Sequence, residues 1–327
     1  MKMRVFPTMT IFSGREFRIS GEILRKHGSY IALFILVILS GIIQPIFFHP
    51  QNIFNLLLKA APLGVVTLGQ FFVILGGGFD LSVASLMATT NIIAAAGMYG
   101  RDEMCLSVSL LCLGLGILVG LTNGLLITKR RIPPFIMTLG MMIFLQGVRF
   151  VWTKGAPFGT IPPALRFIGK GSIGGIPLSV VLLAILAIGS FVVLTKTTYG
   201  RQLYSTGGNW EAARLSGVNV DRVIILTYII SGFMAALAGL LLTGYLGLSD
   251  NWAGKGYELK SIASVVIGGA ALTGGRGTIG GTIAGVLIMT ILDNIVLLLN
   301  LEVEIQMIVE GIVIIGAVAF YTARKSH

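Results

Sequence analysis

The residues best placed to do chemistry lie in the stretch 196–222, KTTYGRQLYSTGGNWEAARLSGVNVDR. Asn209 can cap a two-turn helix running through Trp210, Glu211, Ala212, Ala213, Arg214, Leu215 and Ser216, and Gly217 can end it in a left-handed conformation. So short a helix is marginal alone. Its Trp210, Ala213 and Leu215 suit docking into a groove on another protein; the plain alternative is a solvated loop lying against lipid headgroups. A second feature is GGGFDLSVAS at 76–85. Its glycines permit a tight reversal, and Asp80 is placed to cap the following helix or to touch a ligand, two compatible roles. Gln70, Asn91, Asn123 and Asn294 stand within apolar runs. Together with Asp80 they can supply weak, replaceable hydrogen bonds to a neutral polar solute.

Catalytic chemistry finds no footing. No segment reads G-x-x-x-x-G-K-[ST], so a phosphate loop for ATP is not expected, and the glycine-rich GGRG at 274–277 lacks its lysine. No Ser/His/Asp group surrounds a nucleophile turn. His27, His49 and His327 are scattered. Cys105 and Cys112 sit seven apart on one helix face, which suits buried apolar thiols rather than a disulfide or metal site. No cofactor, metal or catalytic residue is therefore expected, and any work done must draw its energy from a partner.

The elements that must position these residues follow from composition. Of 327 residues, 55% are apolar and 11% charged, whereas soluble domains carry roughly 25% charge. About 20 apolar residues span a bilayer as a helix, so the chain is an all-α polytopic membrane domain. A disordered chain, a nucleic-acid-binding domain and a soluble enzyme are set aside. Ten crossings are expected at 29–48, 54–76, 83–99, 104–127, 134–153, 178–195, 222–246, 261–273, 278–299 and 304–322. The eighth is too short for a regular span and reads as a broken helix buried among others. This gives a single transmembrane domain at 29–322, an N-terminal arm at 1–28, a long connection at 196–222 and a tail at 323–327.

Charge sets the orientation. With both ends cytoplasmic, 16 of the 24 basic residues fall inside, the positive-inside pattern. The net charge of +11 is thus a topology signal rather than a nucleic-acid footprint. Arg149, Asp293 and Glu310 lie within spans toward their outer ends, and Lys59 lies near the outer end of the second. Each can pair with an opposite charge, Arg149 with Asp293 or Glu310, or reach for the interface.

An internal repeat is also legible. The segment 123–143 lies over 294–314 without gaps, Asn123 on Asn294 and Gly140 on Gly311, with a basic turn over an acidic one. Glycines step by four in both copies: Gly116, Gly120 and Gly124, then Gly277, Gly281 and Gly285. Five helices separate equivalents, so the second copy is inverted, and spans two to five are repeated by seven to ten, an architecture common among transporters.

Four segments carry a family resemblance: GGGFDLSVAS at 76–85, PPFIMTLGMM at 133–142, YGRQLYSTGGNWEAARLSGV at 199–218, and ELKSIASVVIGGAALTGGRGTIGGT at 258–282. In this order the chain resembles the permeases of ribose-type sugar ABC importers, within the larger group of branched-chain amino-acid permeases, from about 31 to 321. The resemblance implies ten helices in a dimeric translocator of the bacterial inner membrane, like that of vitamin B12-type importers. It also implies that 209–216 is a coupling helix entering a separate ATP-binding subunit that holds ATP and Mg. A secreted binding protein would deliver a monosaccharide to outer loops such as 155–177, and the resemblance leaves open whether the second permease copy is the same chain or a different one. Ala84, Lys260, Ser264 and Asp293-Asn294-Ile295 depart from the family pattern and bear on which solute is carried. An ABC permease for another small polar solute, a self-sufficient carrier or channel, and a membrane scaffold are the competing readings.

Overall fold

A computed structural model of the chain describes residues 14–302, 304–309, 311–312 and 315–316. It is helical apart from a two-residue hairpin, β1 (Ser172–Ile173) and β2 (Ile176–Pro177). The helices are α1 (Gly14–Ile43), α2 (Pro50–Leu75), α3 (Ser82–Met98), α4 (Cys105–Lys129), α5 (Pro134–Thr153) and α6 (Pro163–Lys170), followed by α7 (Leu178–Lys196) and α8 (Thr198–Gly208). The series continues with α9 (Trp210–Leu215), α10 (Val220–Leu246), α11 (Tyr257–Ile267) and α12 (Ile279–Leu298).

Local sequence explains the limits. Pro50 opens α2, where its missing N–H costs nothing, and Gly77, at φ +84°, closes it with its N–H on the Ile74 carbonyl. Asn219 caps α10 by accepting the Arg222 N–H at 3.1 Å, and Thr278 caps α12 by accepting from Gly281 at 3.1 Å. Among the described residues, α2, α4 with the turn before it, α5, α7, α10 and α12 are long and apolar enough to cross a membrane. The apolar part of α1 and the 17-residue α3 are shorter.

The bundle is built around α10, which packs on α2, α3, α4 and α6. The core joins Val65, Val66, Leu86, Met87, Ala235, Ala238, Leu241, Val286 and Met289 from α2, α3, α10 and α12. By contrast, α5 and α7 bury few of their apolar side chains fully and leave others exposed, among them Phe144, Val151, Ile185 and Phe191, as suits a hydrocarbon surround. Small residues set the closest approaches: a Cβ on Gly116 or Gly120 would strike the α10 backbone at Gly232 or Tyr228.

Several boundaries differ from the sequence-based expectation. The eighth expected span, 261–273, is the helix α11, which begins four residues earlier and stops at Ile267, because Gly268, Gly269, Gly274, Gly275 and Gly277 build an irregular turn. The stretch 155–177 contains α6 and the hairpin, with Pro163 opening the helix and Leu165 and Gly169 buried. The stretch 196–222 holds α8 as well as α9, and α1 starts inside the arm. Of the expected span 304–322, residues 304–309, 311–312 and 315–316 are helical and the other positions lie outside the described residues.

Candidate functional site

Three glycine-rich turns meet at one end of the bundle. The Leu75 carbonyl at the end of α2 accepts the Gly275 N–H at 2.9 Å. Gly207, in the last turn of α8, fills the gap beside this bond; a Cβ there would overlap the Leu75 carbonyl oxygen and crowd the Gly275 nitrogen. A Cβ on Gly274 would crowd the Gly207 carbonyl and the Gly77 nitrogen. The Tyr204 hydroxyl donates to the Gly277 carbonyl at 2.9 Å. One turn earlier, Tyr199 shares a 2.9 Å hydrogen bond with Thr227 of α10, and burial pushes its hydroxyl pKa up to about 12, so it stays protonated and able to donate.

This seam carries α9 directly. The Asn209 side chain accepts the Ala212 N–H at 3.0 Å, and Gly217, at φ +84°, terminates the helix with its N–H on Arg214. Trp210 is exposed, and Leu215 is 90% exposed, an apolar side chain presented wholly outward. Ala213 instead faces inward and is buried against its own chain. Arg214 lies 5.3 Å over the Trp210 ring and pairs with Asp221 at 3.1 Å, while Lys129, ending α4, holds the other Asp221 oxygen at 2.9 Å. One carboxylate thus ties α9 to both α4 and α10, although its exposure keeps each pair weak in stability terms.

Beyond the α2 turn lies a buried polar network. Asp80 does not itself occupy the cap of α3, which is Leu81, but its Oδ1 accepts the Ser82 N–H at 3.0 Å and the Ser82 hydroxyl at 2.6 Å. Its Oδ2 accepts from Ser231 of α10 at 2.8 Å. Asn123 of α4 donates to Ser82 at 3.1 Å. Gln70, with its amide turned so that both ends pair, donates to the Asp80 carbonyl at 3.0 Å and accepts the Asp80 N–H at 3.3 Å. The Tyr228 hydroxyl donates to Phe79 at 3.1 Å. Gln70, Asp80 and Asn123 are thus brought together, buried, and linked through Ser82, Ser231 and backbone, with the Asn123 amide oxygen left without a partner among the described residues.

The remaining two polar residues go elsewhere. Asn91 braces the loop after α10, donating to Thr243 and to the Leu248 carbonyl and accepting the Asp250 N–H at 2.8 Å. Asn294 pairs with Asn52 through two amide hydrogen bonds of 2.9 and 3.1 Å at the end of the bundle away from α9. There a cleft of about 430 Å³ opens, lined by Asn52, Asn55, Lys59, Lys170, Tyr245 and Asn294, with Phe54, Leu58 and Leu297. Sequence reasoning missed Tyr245 and Lys170, which no motif marks.

The embedded charges resolve differently from the expected pairing. Arg149 donates to the Ser85 carbonyl at 3.1 Å and to Thr89 at 3.3 Å, and Asp293 pairs with Lys260 at 2.9 Å. Arg149 and Asp293 belong to different sectors of the bundle, and Glu310 lies outside the described residues. Among the described residues no group of three or more His, Cys, Asp or Glu side chains is arranged to hold a metal.

Apolar helices long enough to cross a bilayer, an internal polar brace and a short outward-facing helix define a multi-pass membrane protein. The chain belongs to the family described as branched-chain amino acid transport system / permease component, whose model matches residues 52–318. It is 41% identical to the ribose import permease protein RbsC of Bacillus subtilis (strain 168) over 298 residues, covering 90% of this chain and 92% of that one. It is 38% identical to the RbsC of Escherichia coli (strain K12) over 315 residues, covering 95% and 97%. The xylose transport system permease protein XylH of the same strain is 31% identical over 337 residues, covering 84% and 86%. No solved structure matches the chain.

Proposed function

We propose that this chain is the translocation subunit of an ATP-binding-cassette importer for a ribose-like monosaccharide, a separate subunit supplying ATP and Mg chemistry. The observation that carries the reading is α9: a capped helix whose Leu215 is bare, in a chain similar over nearly its whole length to ribose import permeases. A large apolar side chain held rigidly outward is what a groove on a partner takes up. Residues 209–216 are the coupling helix, with Trp210, Arg214 and Leu215 making contact and Ala213 anchoring the helix to its own chain. ATP-driven closure of two nucleotide-binding subunits then moves two such helices as rigid bodies.

In this reading ten helices cross the inner membrane with both ends cytoplasmic, spans two to five are repeated inverted as seven to ten, and two copies, identical or not, form a vitamin B12-importer-like translocator. The short α11 and its glycine turn support the broken eighth span. The glycine steps in the two halves are used differently, those of α4 against α10 and those of α12 against Ser264 and Gly268 at the end of α11, so the repeat is one of topology more than of packing. Of the five polar residues, Asn294 opens toward a pathway, while Gln70, Asp80, Asn91 and Asn123 hold the walls. An extracytoplasmic binding protein feeds the sugar to the end bearing α6.

The test is reconstitution of the chain with its ATPase and binding protein. Leu215→Asp or Arg214→Glu should leave membrane insertion intact and abolish sugar uptake coupled to ATP hydrolysis. Wild-type uptake by either variant sinks the coupling assignment, and sugar-specific flux through the chain alone in liposomes would replace the importer with a self-sufficient carrier.

A further inference from the structure

We propose that the cleft between α2, α6, α10 and α12 is a monosaccharide subsite inside the permease chain, with Lys59, Asn294 and Tyr245 as its hydrogen-bonding groups. This rests on the import reading above and goes beyond it by assigning where the sugar first binds within the membrane domain.

The argument begins with depth. Lys59 lies nine residues into α2, about 13 Å along the axis from Pro50 at 1.5 Å per residue. Ile46 and Phe48, in the turn preceding α2, are both exposed, so apolar surface continues past the start of the helix, and Lys59 lies beyond the exposed Gln51 and Asn55 of the helix's first turns. Among the described residues no carboxylate pairs with it, the three ion pairs being made by Lys129, Arg214 and Lys260. An unpaired ammonium at such depth is tolerated where it faces a water-filled cavity, and the cleft that it lines supplies one.

The lining then selects the ligand. The cleft volume of about 430 Å³ falls within the usual range of small-molecule sites, roughly 300–1,000 Å³. Asn52 uses both amide hydrogens, on Asn294 and on the Phe47 carbonyl at 2.9 Å. Asn294 spends only one, on Asn52, so it keeps one donor and an oxygen lone pair. The Tyr245 hydroxyl has no partner among the described residues and both gives and takes a proton bond. Lys59 adds three donors. This mixture of donors and acceptors, lined also by Phe54, Leu58 and Leu297, matches a polyol ring whose hydroxyls do both and whose C–H face is apolar. A phosphate is matched less well: no arginine fork is present, and the second ammonium, Lys170, is already held 5.4 Å over the Tyr245 ring. The Asn52–Asn294 pair fixes the cleft by bracing α2 to α12, so the site is built before the ligand arrives.

The test uses thiol protection. In a Cys105→Ser background, Leu297→Cys places a thiol at the mouth of the cleft, and right-side-out vesicles without ATP are treated with a membrane-impermeant thiol reagent. The thiol should react, D-ribose should slow the reaction several-fold, inorganic phosphate should not, and Lys59→Gln should remove the sugar's protection while leaving the thiol reactive. Failure to react places Leu297 in lipid or against another subunit and overturns the proposal. So does protection by phosphate without protection by D-ribose, or protection that survives Lys59→Gln. Uptake by the assembled wild-type importer is measured in parallel. If it carries D-ribose and the thiol is never protected, only the cleft assignment falls; if it carries no monosaccharide, the import reading falls and the subsite with it.

Discussion

Asp80 shows how a residue that looks like a binding group can act as a brace. Its carboxylate is 1% exposed and accepts three hydrogen bonds, from the Ser82 backbone, the Ser82 hydroxyl and Ser231. Removing the acceptor strands buried donors, each costing about 1–3 kcal/mol. Asp80→Ala should therefore unfold earlier in detergent by thermal melt, whereas Asp80→Asn, which keeps one acceptor and can donate to Ser231, should lie between Ala and wild type. An Asp80→Ala protein as stable as wild type would remove the brace. The sequence pointed to Asp80 by its position after three glycines. It could not show that Gln70, Asn123 and Ser231 converge there, because the contacts join residues up to 151 apart. The cleft residues Tyr245 and Lys170 were invisible for the same reason: they come from α10 and α6, and neither carries a local pattern.

Local signals served better for elements, where they were strong. The Asn209 cap and Gly217 terminator delimited α9 in the sequence because capping chemistry involves only near neighbours. The helices α6 and α8 escaped because glycine and proline disguised them: Pro163 opens α6, while Gly200 and Gly207 interrupt the pattern of α8. Those glycines in α8 are demanded by packing. A Cβ on Gly200 would overlap the Leu194 carbonyl, and one on Gly207 the Leu75 carbonyl. Between them they set α8 against α7 and α2, so in the proposed mechanism a displacement of α9 is passed through α8 to the end of α2 and the α11–α12 turn. Gly207→Val should force these elements apart at an overpacking cost of about 1–3 kcal/mol. In the reconstituted importer it should keep ATPase binding, because α9 is untouched, yet lower the sugar moved per ATP hydrolysed. An unchanged ratio would show that the seam does not transmit the motion. Tyr204→Phe, which deletes the bond to Gly277 and little volume, should shift the ratio in the same direction by less.

At the scale of the whole molecule, the net charge of +11 is distributed unevenly between the two ends that the fold separates. Lys129, Arg130, Arg131, Lys196, Arg201, Arg214, Arg222 and Arg276 all lie at the α8–α9 end or on the turns beside it, with Glu211 and Asp221 among the few acids there. The opposite end mixes Arg101, Lys154, Arg166, Lys170 and Lys255 with Asp102, Glu103, Asp250 and Glu258. Basic residues in short connections are retained on the cytoplasmic side, which supports the proposal that the α9 end faces the cytoplasm, where ATP is. In a Cys105→Ser background, Gln202→Cys, exposed on α8, should resist an impermeant thiol reagent in intact cells and react after permeabilisation. Glu103→Cys, exposed beside α4, should react in intact cells. The reverse pattern would put the proposed coupling helix outside and leave no ATPase to drive it. Equal labelling of both positions in intact cells would mean that the charge bias does not fix a single topology. Asp221 gathers Lys129 and Arg214 at the same basic end; in the proposed topology these charges serve orientation and sit beside α9, so neutralising the cluster should disturb both orientation and coupling.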